Sequence, residues 1–337
     1  MGKLWNKKSL SFIGLLFLSM LGNCQDNVFI IYGPVSCGHS FQERGIKYVD
    51  SLYEVEIHQD VLYNISYGFY ESLESVKDVG KLLRTKKRQL EMKMDIYRPV
   101  PQNSGKCPTI LFFHGGAFFF DSKKSHSIVE WCKRFAARGY VAVSVNYRLS
   151  SSFGKKAMRE AEQDAISDAI SAINFLVANE DNYSIDVDNL YLAGTSAGAM
   201  ISLQTALSCQ QQGFTIRAVA NMWGCVPDTS LFTPIYPSLI SFHGGKDNTV
   251  PPNYNCSFYN LDYFGWLSKY FVDKKYGSIP IHQKLREIGV DSRFYYFPLL
   301  KHKLHWDKRR RTENEYFYFI DEHIASFFLE KMSKTDS

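Results

Sequence analysis

The segment of this chain best suited to nucleophilic chemistry is a serine framed by glycines, Gly194-Thr195-Ser196-Ala197-Gly198. The run before it, Asn189-Leu190-Tyr191-Leu192-Ala193, reads as a short buried strand, and Ala199-Met200-Ile201-Ser202-Leu203 begins a helix. A G-x-S-x-G at a strand-to-helix turn is a nucleophile elbow. Its glycines lack Cβ atoms, so the chain turns sharply while the serine is held in a strained conformation with its hydroxyl exposed. A hydroxyl is a weak nucleophile alone, so the pattern demands a base, an acid to orient it, and N–H donors for the oxyanion.

Each demand has a candidate. Thr109 to Phe113 is a continuous apolar run, as in a strand buried on both faces, and it ends in His114-Gly115-Gly116-Ala117-Phe118. Glycines let backbone N–H groups come close to a tetrahedral oxyanion, so Gly115 and Gly116, with Ala197 after the serine, are the candidate donors. Losing one such donor costs about 3 kcal/mol of transition-state stabilisation. Pro237 to Phe242 reads as another buried strand, and Asp247 in the loop after it is placed to orient an imidazole. Arg293 to Pro298 reads as the next strand, followed by His302 and His305. One of these would take the proton from Ser196 and return it to the leaving group. His302 is preferred because it has the shorter reach from the strand end; His305 is the alternative base. His114 and His243 are expected to support their loops. The bland alternatives are a structural serine in a tight turn and a turn-forming aspartate.

The chain resembles the α/β-hydrolase esterases related to carboxylesterases and hormone-sensitive-lipase-type enzymes, particularly small bacterial carbohydrate-esterase-like members. The matching stretches are H-G-G-A-F at 114–118, Asn146-Tyr147-Arg148-Leu149-Ser150, the helix around Asp164 to Asn174, G-T-S-A-G, and H-G-G-K-D with V-P after it. The resemblance covers roughly residues 90–330. It implies an α/β-hydrolase fold, a chain order of serine, acid and histidine, and ester hydrolysis. Members commonly carry a glycine just before the catalytic histidine, whereas Lys301 and Lys303 flank His302 here.

The elements that must position these residues follow from pattern. Asp60 to Tyr70 and Arg88 to Tyr97 read as early antiparallel strands. Helices are expected at Ile128 to Arg138, Ala157 to Glu180 and Ser278 to Gly289, with strands at Tyr140 to Val145 and Ile216 to Trp223. The last helix opens on Thr312-Glu313-Asn314-Glu315, a capping-box pattern, and should bury Phe317, Ile320, Ile324 and Phe327. Such alternation implies a mostly parallel, twisted sheet with helices on both faces. The link between the 216–223 and 237–242 strands is too short for a large lid domain. An insertion at 252–277 is dense in aromatics, among them Tyr254, Phe258, Tyr263, Trp266 and Tyr270. It reads equally as a wall of the substrate pocket and as a self-packed subdomain.

Composition bounds the rest. With 337 residues, 45% of them hydrophobic, the chain can bury a sizeable core in one large domain. We divide it into a signal peptide at 1–24, an N-terminal extension at 25–60 packed on the domain edge, and a catalytic domain at 61–337. A basic start (Lys3, Lys7, Lys8) and the apolar stretch Phe12 to Leu21 carry the signal-peptide reading. Export is therefore expected, to a secreted, periplasmic or envelope location. Leu21-Gly22-Asn23-Cys24 resembles a relaxed lipobox, so a membrane tether through lipidated Cys24 and plain cleavage both stay open. The net charge of +5 is modest and no basic repeat suggests nucleic acid. Lys308 to Arg311, the densest basic run, reads as a solvated loop, with attraction to an acidic substrate or membrane surface the alternative. No C-x-x-C or zinc-like spacing occurs, so no metal or cofactor is expected.

These readings converge on an exported serine esterase acting on a small-molecule or glycan ester, with short acyl, acetyl or feruloyl groups preferred. The alternatives are an amidase or peptidase on the same triad, and a non-catalytic binding protein on the same scaffold. Oligomeric state is left open.

Overall fold

A computed structural model describes residues 27–35, 47–72, 86–100, 105–152, 154–256, 273–307 and 309–332. Its strands are β1 (Val28–Ile30), β2 (Glu54–Gly68), β3 (Arg88–Val100), β4 (Cys107–Phe113), β5 (Val141–Val145), β6 (Ile185–Thr195), β7 (Ile216–Met222), β8 (Ser238–Gly244), β9 (Tyr254–Cys256), β10 (Lys274–Tyr276), β11 (Ser292–Phe297), β12 (Trp306–Asp307) and β13 (Thr312–Glu313). Its helices are α1 (His126–Ala137), α2 (Lys155–Ala178), the single turn α3 (Glu180–Tyr183), α4 (Ala197–Gln212), α5 (Ser278–Glu287) and α6 (Glu315–Lys331).

Nine strands form one sheet in the order β1-β11-β8-β7-β6-β4-β5-β3-β2. β2 and β3 pair antiparallel, as does β3 with β5; every other neighbouring pair is parallel. Successive side chains of a strand face opposite sides of a sheet, and β4 shows the result. Leu111 and Phe113 enter the core shared with α2 and α4. Ile110 and Phe112 enter the core shared with α1 and α6. Both faces are covered, which is why the central strands read as unbroken apolar runs.

Within the stretch assigned to 25–60 at the domain edge, Val28–Ile30 form the edge strand of the sheet against β11, and β2 begins at Glu54. Two expectations need correcting. Thr312 does not cap the last helix. Asn314 does, its side chain accepting the Tyr316 N–H at 3.0 Å, while Thr312 and Glu313 pair with β12. The strand expected to run to Trp223 stops at Met222, because Trp223 takes a left-handed φ of 51°. Of the aromatic insertion, only the antiparallel β9–β10 neck is described; Phe258, Tyr263, Trp266 and Tyr270 lie outside the described residues, as does the 1–24 segment with Cys24. No helix among the described residues is long and apolar enough to cross a membrane.

Candidate active site

Ser196 stands between the end of β6 and the first residue of α4, with φ 54° and ψ −116°. That backbone region costs about 1–3 kcal/mol and persists only where its surroundings enforce it. Here the Ser196 N–H donates to Met222 O at 2.9 Å, and its carbonyl accepts the Met200 N–H at 3.1 Å. Gly198 makes the turn possible: a Cβ there would lie 2.0 Å from the Phe113 carbonyl oxygen, so α4 can begin against β4 only with a glycine at this point.

The Ser196 hydroxyl meets His302 Nε2 at 3.0 Å, and His302 Nδ1 meets Asp247 Oδ2 at 2.7 Å. His302 rises from the loop after β11, Asp247 from the loop after β8. Asp247 is buried, and its other oxygen, Oδ1, accepts the N–H groups of Thr249 and Val250 at 2.9 Å each. Burial by itself would push this carboxyl up. Hydrogen bonds from His243 and His302 outweigh burial and hold it well below the usual carboxylate range. His243 is fixed in turn, donating from Nε2 to Val250 O at 2.8 Å while Nδ1 accepts from the Ser278 hydroxyl at 2.6 Å. Ser278, the first residue of α5, is a support that sequence reading missed; nothing in its neighbours marks it.

His305 lies elsewhere. Its ring stacks between Trp223 (4.9 Å) and Trp131 (5.4 Å), and its Nε2 meets Ser127 Oγ at 3.1 Å. Burial drives its pKa down to about 3, helped by Lys303 and His302, so the ring is neutral at ordinary pH. Trp223, edge-on to His302 at 6.3 Å, links the two imidazoles. The lysines flanking His302 are both exposed; Lys303 supplies the turn that a glycine would favour, with φ 55°.

Opposite the hydroxyl runs the loop after β4. Gly116, Ala117 and Phe118 all have positive φ. Its carbonyls are held back: the single Tyr147 hydroxyl proton is shared between His114 O (2.8 Å) and Gly115 O (3.0 Å), His114 Nδ1 donates to Gly115 O (2.8 Å), and Gly116 O accepts the Phe119 and Phe120 N–H groups at 2.9 Å. His114 stacks on Tyr147 with centroids 4.2 Å apart. Among the described residues no acceptor is taken by the N–H groups of Gly115, Gly116 or Ala117. Gly115 and Gly116 border the cleft at Ser196, and Ala197, the first helical residue, offers an N–H at the positive end of α4.

Ser196 divides two spaces of different size. A cleft of about 410 Å³ contains His302, Lys303 and Trp306. A chamber of about 40 Å³ on the other side is walled by Phe118, Met158, Met200 and Val250 and contains no His302. A part-buried ion pair also lines it: Lys275 Nζ meets both Glu162 oxygens at 2.6 Å, with Gln204 Nε2 on Glu162 Oε1 at 2.5 Å. Sequence reading found neither partner, since neither lies in a motif.

Solved structures share this architecture. A fungal esterase from Rhizomucor miehei superposes with a TM-score of 0.53 at 16% identity, over 83% of this chain and 85% of that one. The fold is that of the α/β-hydrolases. Residues 94–226 of the hydrolase-fold chain match the BD-FAE family. Probable carboxylesterase 2 of Arabidopsis thaliana is 38% identical over 124 residues, 36% of this chain and 38% of that protein. Acetyl esterase of Salmonella paratyphi B is 28% identical over 113 residues, 33% of this chain and 31% of that protein. The matched stretch thus spans less than two fifths of either curated relative.

Proposed function

We propose that this chain is a serine esterase that hydrolyses short-acyl carboxylic esters through an acyl-enzyme. The observation that carries the reading is the unbroken hydrogen-bond chain from Asp247 through His302 to Ser196, at 2.7 and 3.0 Å. Ser196 Oγ attacks the carbonyl carbon as His302 Nε2 takes its proton, and Asp247 stabilises the imidazolium. The N–H groups of Gly115, Gly116 and Ala197 receive the oxyanion. His302 then returns the proton to the departing alcohol, and water activated by the same ring releases the acid.

This proton traffic sorts the two spaces. The leaving oxygen must face His302, so the alcohol belongs in the larger cleft and the acyl chain in the chamber without an imidazole. A water needs about 10–15 Å³ on the same measure, so 40 Å³ suits an acetyl or propionyl group and not a long chain. The names of the carboxylesterase and acetyl esterase relatives agree with that reaction class. Export, supported by the basic start and apolar stretch before Cys24, would bring the enzyme to extracellular esters. The test is turnover of 4-nitrophenyl acetate by the wild type and Ser196→Ala. A folded wild type no faster than the variant would replace this reading with a binding protein on a hydrolase scaffold.

A further inference from the structure

Arg309 to Arg311, part of the basic run that reads in isolation as a solvated loop, lie between the strands of the β12–β13 hairpin, in which Trp306 pairs with Glu313 and Asp307 with Thr312. Trp306 and Lys303 line the cleft itself. The hairpin is pinned to the start of α1: His126 Nδ1 meets Glu313 Oε1 at 2.6 Å and its ring lies edge-on to Trp306 at 5.7 Å. Lys301, Lys303, Arg309, Arg310 and Arg311 are all exposed. Against these five cations the segment offers two carboxylates. Glu313 is turned inward to His126, and Asp307 accepts the backbone N–H groups of Arg309 (2.8 Å) and Arg310 (3.2 Å) on Oδ1 and faces the Arg310 side chain at 3.7 Å. Among the described residues Lys301, Lys303, Arg309 and Arg311 have no ion-pair partner. The one carboxylate lining the cleft, Asp121, accepts the N–H of Ser122 at 3.0 Å.

We propose that this hairpin holds the carboxylates of the alcohol portion of the substrate, and that the substrate is an acetyl-type ester on an anionic, uronate-containing polysaccharide. The proposal rests on the esterase reading above and extends it to the substrate class. Three features favour a polysaccharide. Exposed guanidinium groups match carboxylates through bidentate hydrogen bonds. Arg309 to Arg311 form one tight turn, closed by the Arg311 N–H donating to Asp307 O at 2.8 Å, so three exposed guanidinium groups share one short segment, a cluster suited to the repeated carboxylates of a polymer. The cleft is also lined by the hydroxyl residues Ser125 and Thr249 and by Trp306, which suit a pyranose. Stable attachment to a lipid surface calls for inserted apolar area as well as charge, and the Asp307 to Thr312 tip has no apolar side chain.

The experiment compares the wild type with the triple variant Arg309→Gln, Arg310→Gln, Arg311→Gln on O-acetylated polygalacturonate, O-acetylated xylan and 4-nitrophenyl acetate, in 20 mM and 500 mM NaCl. Electrostatic capture by such a patch raises association at least about tenfold and is screened by salt. The wild-type kcat/KM on the anionic polymer should therefore fall about tenfold or more with salt, and equally with the substitutions at low salt. The neutral polymer and the small ester should stay within about twofold. An anionic polymer that responds no more than xylan overturns the proposal. So does triple-variant loss of binding to phosphatidylglycerol vesicles with unchanged kinetics on the anionic polymer, which would make the hairpin a membrane contact. Retention on immobilised, unacetylated polygalacturonate reads the hairpin without turnover, and equal retention of both proteins also refutes it. Absence of any 4-nitrophenyl acetate turnover, by contrast, refutes the esterase reading alone.

Discussion

Asp247→Asn should disable the site by reversing one tautomer, and the structure dictates which way the new amide must point. Asp247 Oδ1 accepts two backbone N–H groups, from Thr249 and Val250, while Oδ2 faces His302 Nδ1. An asparagine turned with its NH2 toward the backbone would leave buried donors facing donors, at about 1–3 kcal/mol for each unsatisfied group. The amide oxygen therefore keeps the Oδ1 place, and the NH2 takes the place of Oδ2. It can only donate to His302 Nδ1, which forces the ring proton onto Nε2, opposite the Ser196 hydroxyl. An imidazole protonated there cannot act as base, and the imidazolium loses its counter-charge. Losses of this kind are about 10⁴ in kcat, or about 5.5 kcal/mol of barrier. The assay is saturating turnover of 4-nitrophenyl acetate with the melting temperature measured alongside. Combining the change with Ser196→Ala should add almost nothing, since the two act as one unit. A folded Asp247→Asn enzyme within about tenfold of wild type would show that His302 does not take its tautomer from this carboxylate, and the mechanism would fail.

Three further outcomes are expected. His302→Ala should cost at least about 10⁴ in kcat, whereas His305→Ala, which breaks a Trp223–His305–Trp131 stack and no bond to Ser196, should lower the melting temperature far more than kcat; the reverse order would exchange their roles. Met200→Ala should widen the small chamber and raise the butyrate-to-acetate ratio of kcat/KM about tenfold, the usual worth of a methylene or two in an apolar pocket; an unmoved ratio would place the acyl chain elsewhere. Two imidazoles held neutral by burial, His282 with its pKa lowered to about 4 and His305 to about 3, should make the fold acid-sensitive. Unfolded histidine titrates near 6.5, so between that pH and the folded values the unfolded state binds more protons and stability rises with pH. Urea unfolding free energy should be level above about pH 6.5 and decline as pH falls toward 4; a flat profile to pH 4 would contradict it.

The parts of this site that a reader can take from sequence are those whose chemistry constrains the backbone locally. A strained serine needs small neighbours, an oxyanion loop needs glycines, and a strand covered on both faces needs an unbroken apolar run, so β4, β6 and their turns announce themselves. Where two local rules are both satisfied, tertiary contacts decide. Thr312 and Asn314 are each acceptable caps, and the pairing of Thr312–Glu313 with β12 leaves the role to Asn314. His302 and His305 stand three residues apart in one loop, and what separates them is a slot between Trp131 and Trp223, supplied by a distant helix and a distant strand end. β1 has three residues and no pattern of its own; only its register on β11 makes it a strand.

The same division explains why the reaction class is easier to read than the substrate. Attack, proton transfer and oxyanion binding are carried by short segments with stringent backbone needs. The small chamber proposed for the acyl group is instead bordered by Lys275 and Glu162, 113 residues apart. Burial would strip the Lys275 charge, but Glu162 beside it reverses that and keeps the pKa raised, so the pair persists as ions where either alone would be costly. A wall of this type is set by how the β9–β10 neck docks on α2, and any lysine and glutamate at suitable depth would serve. On the proposed reading, acyl length would therefore depend on a non-local contact that no motif of the elbow, the oxyanion loop or the Asp247 loop encodes.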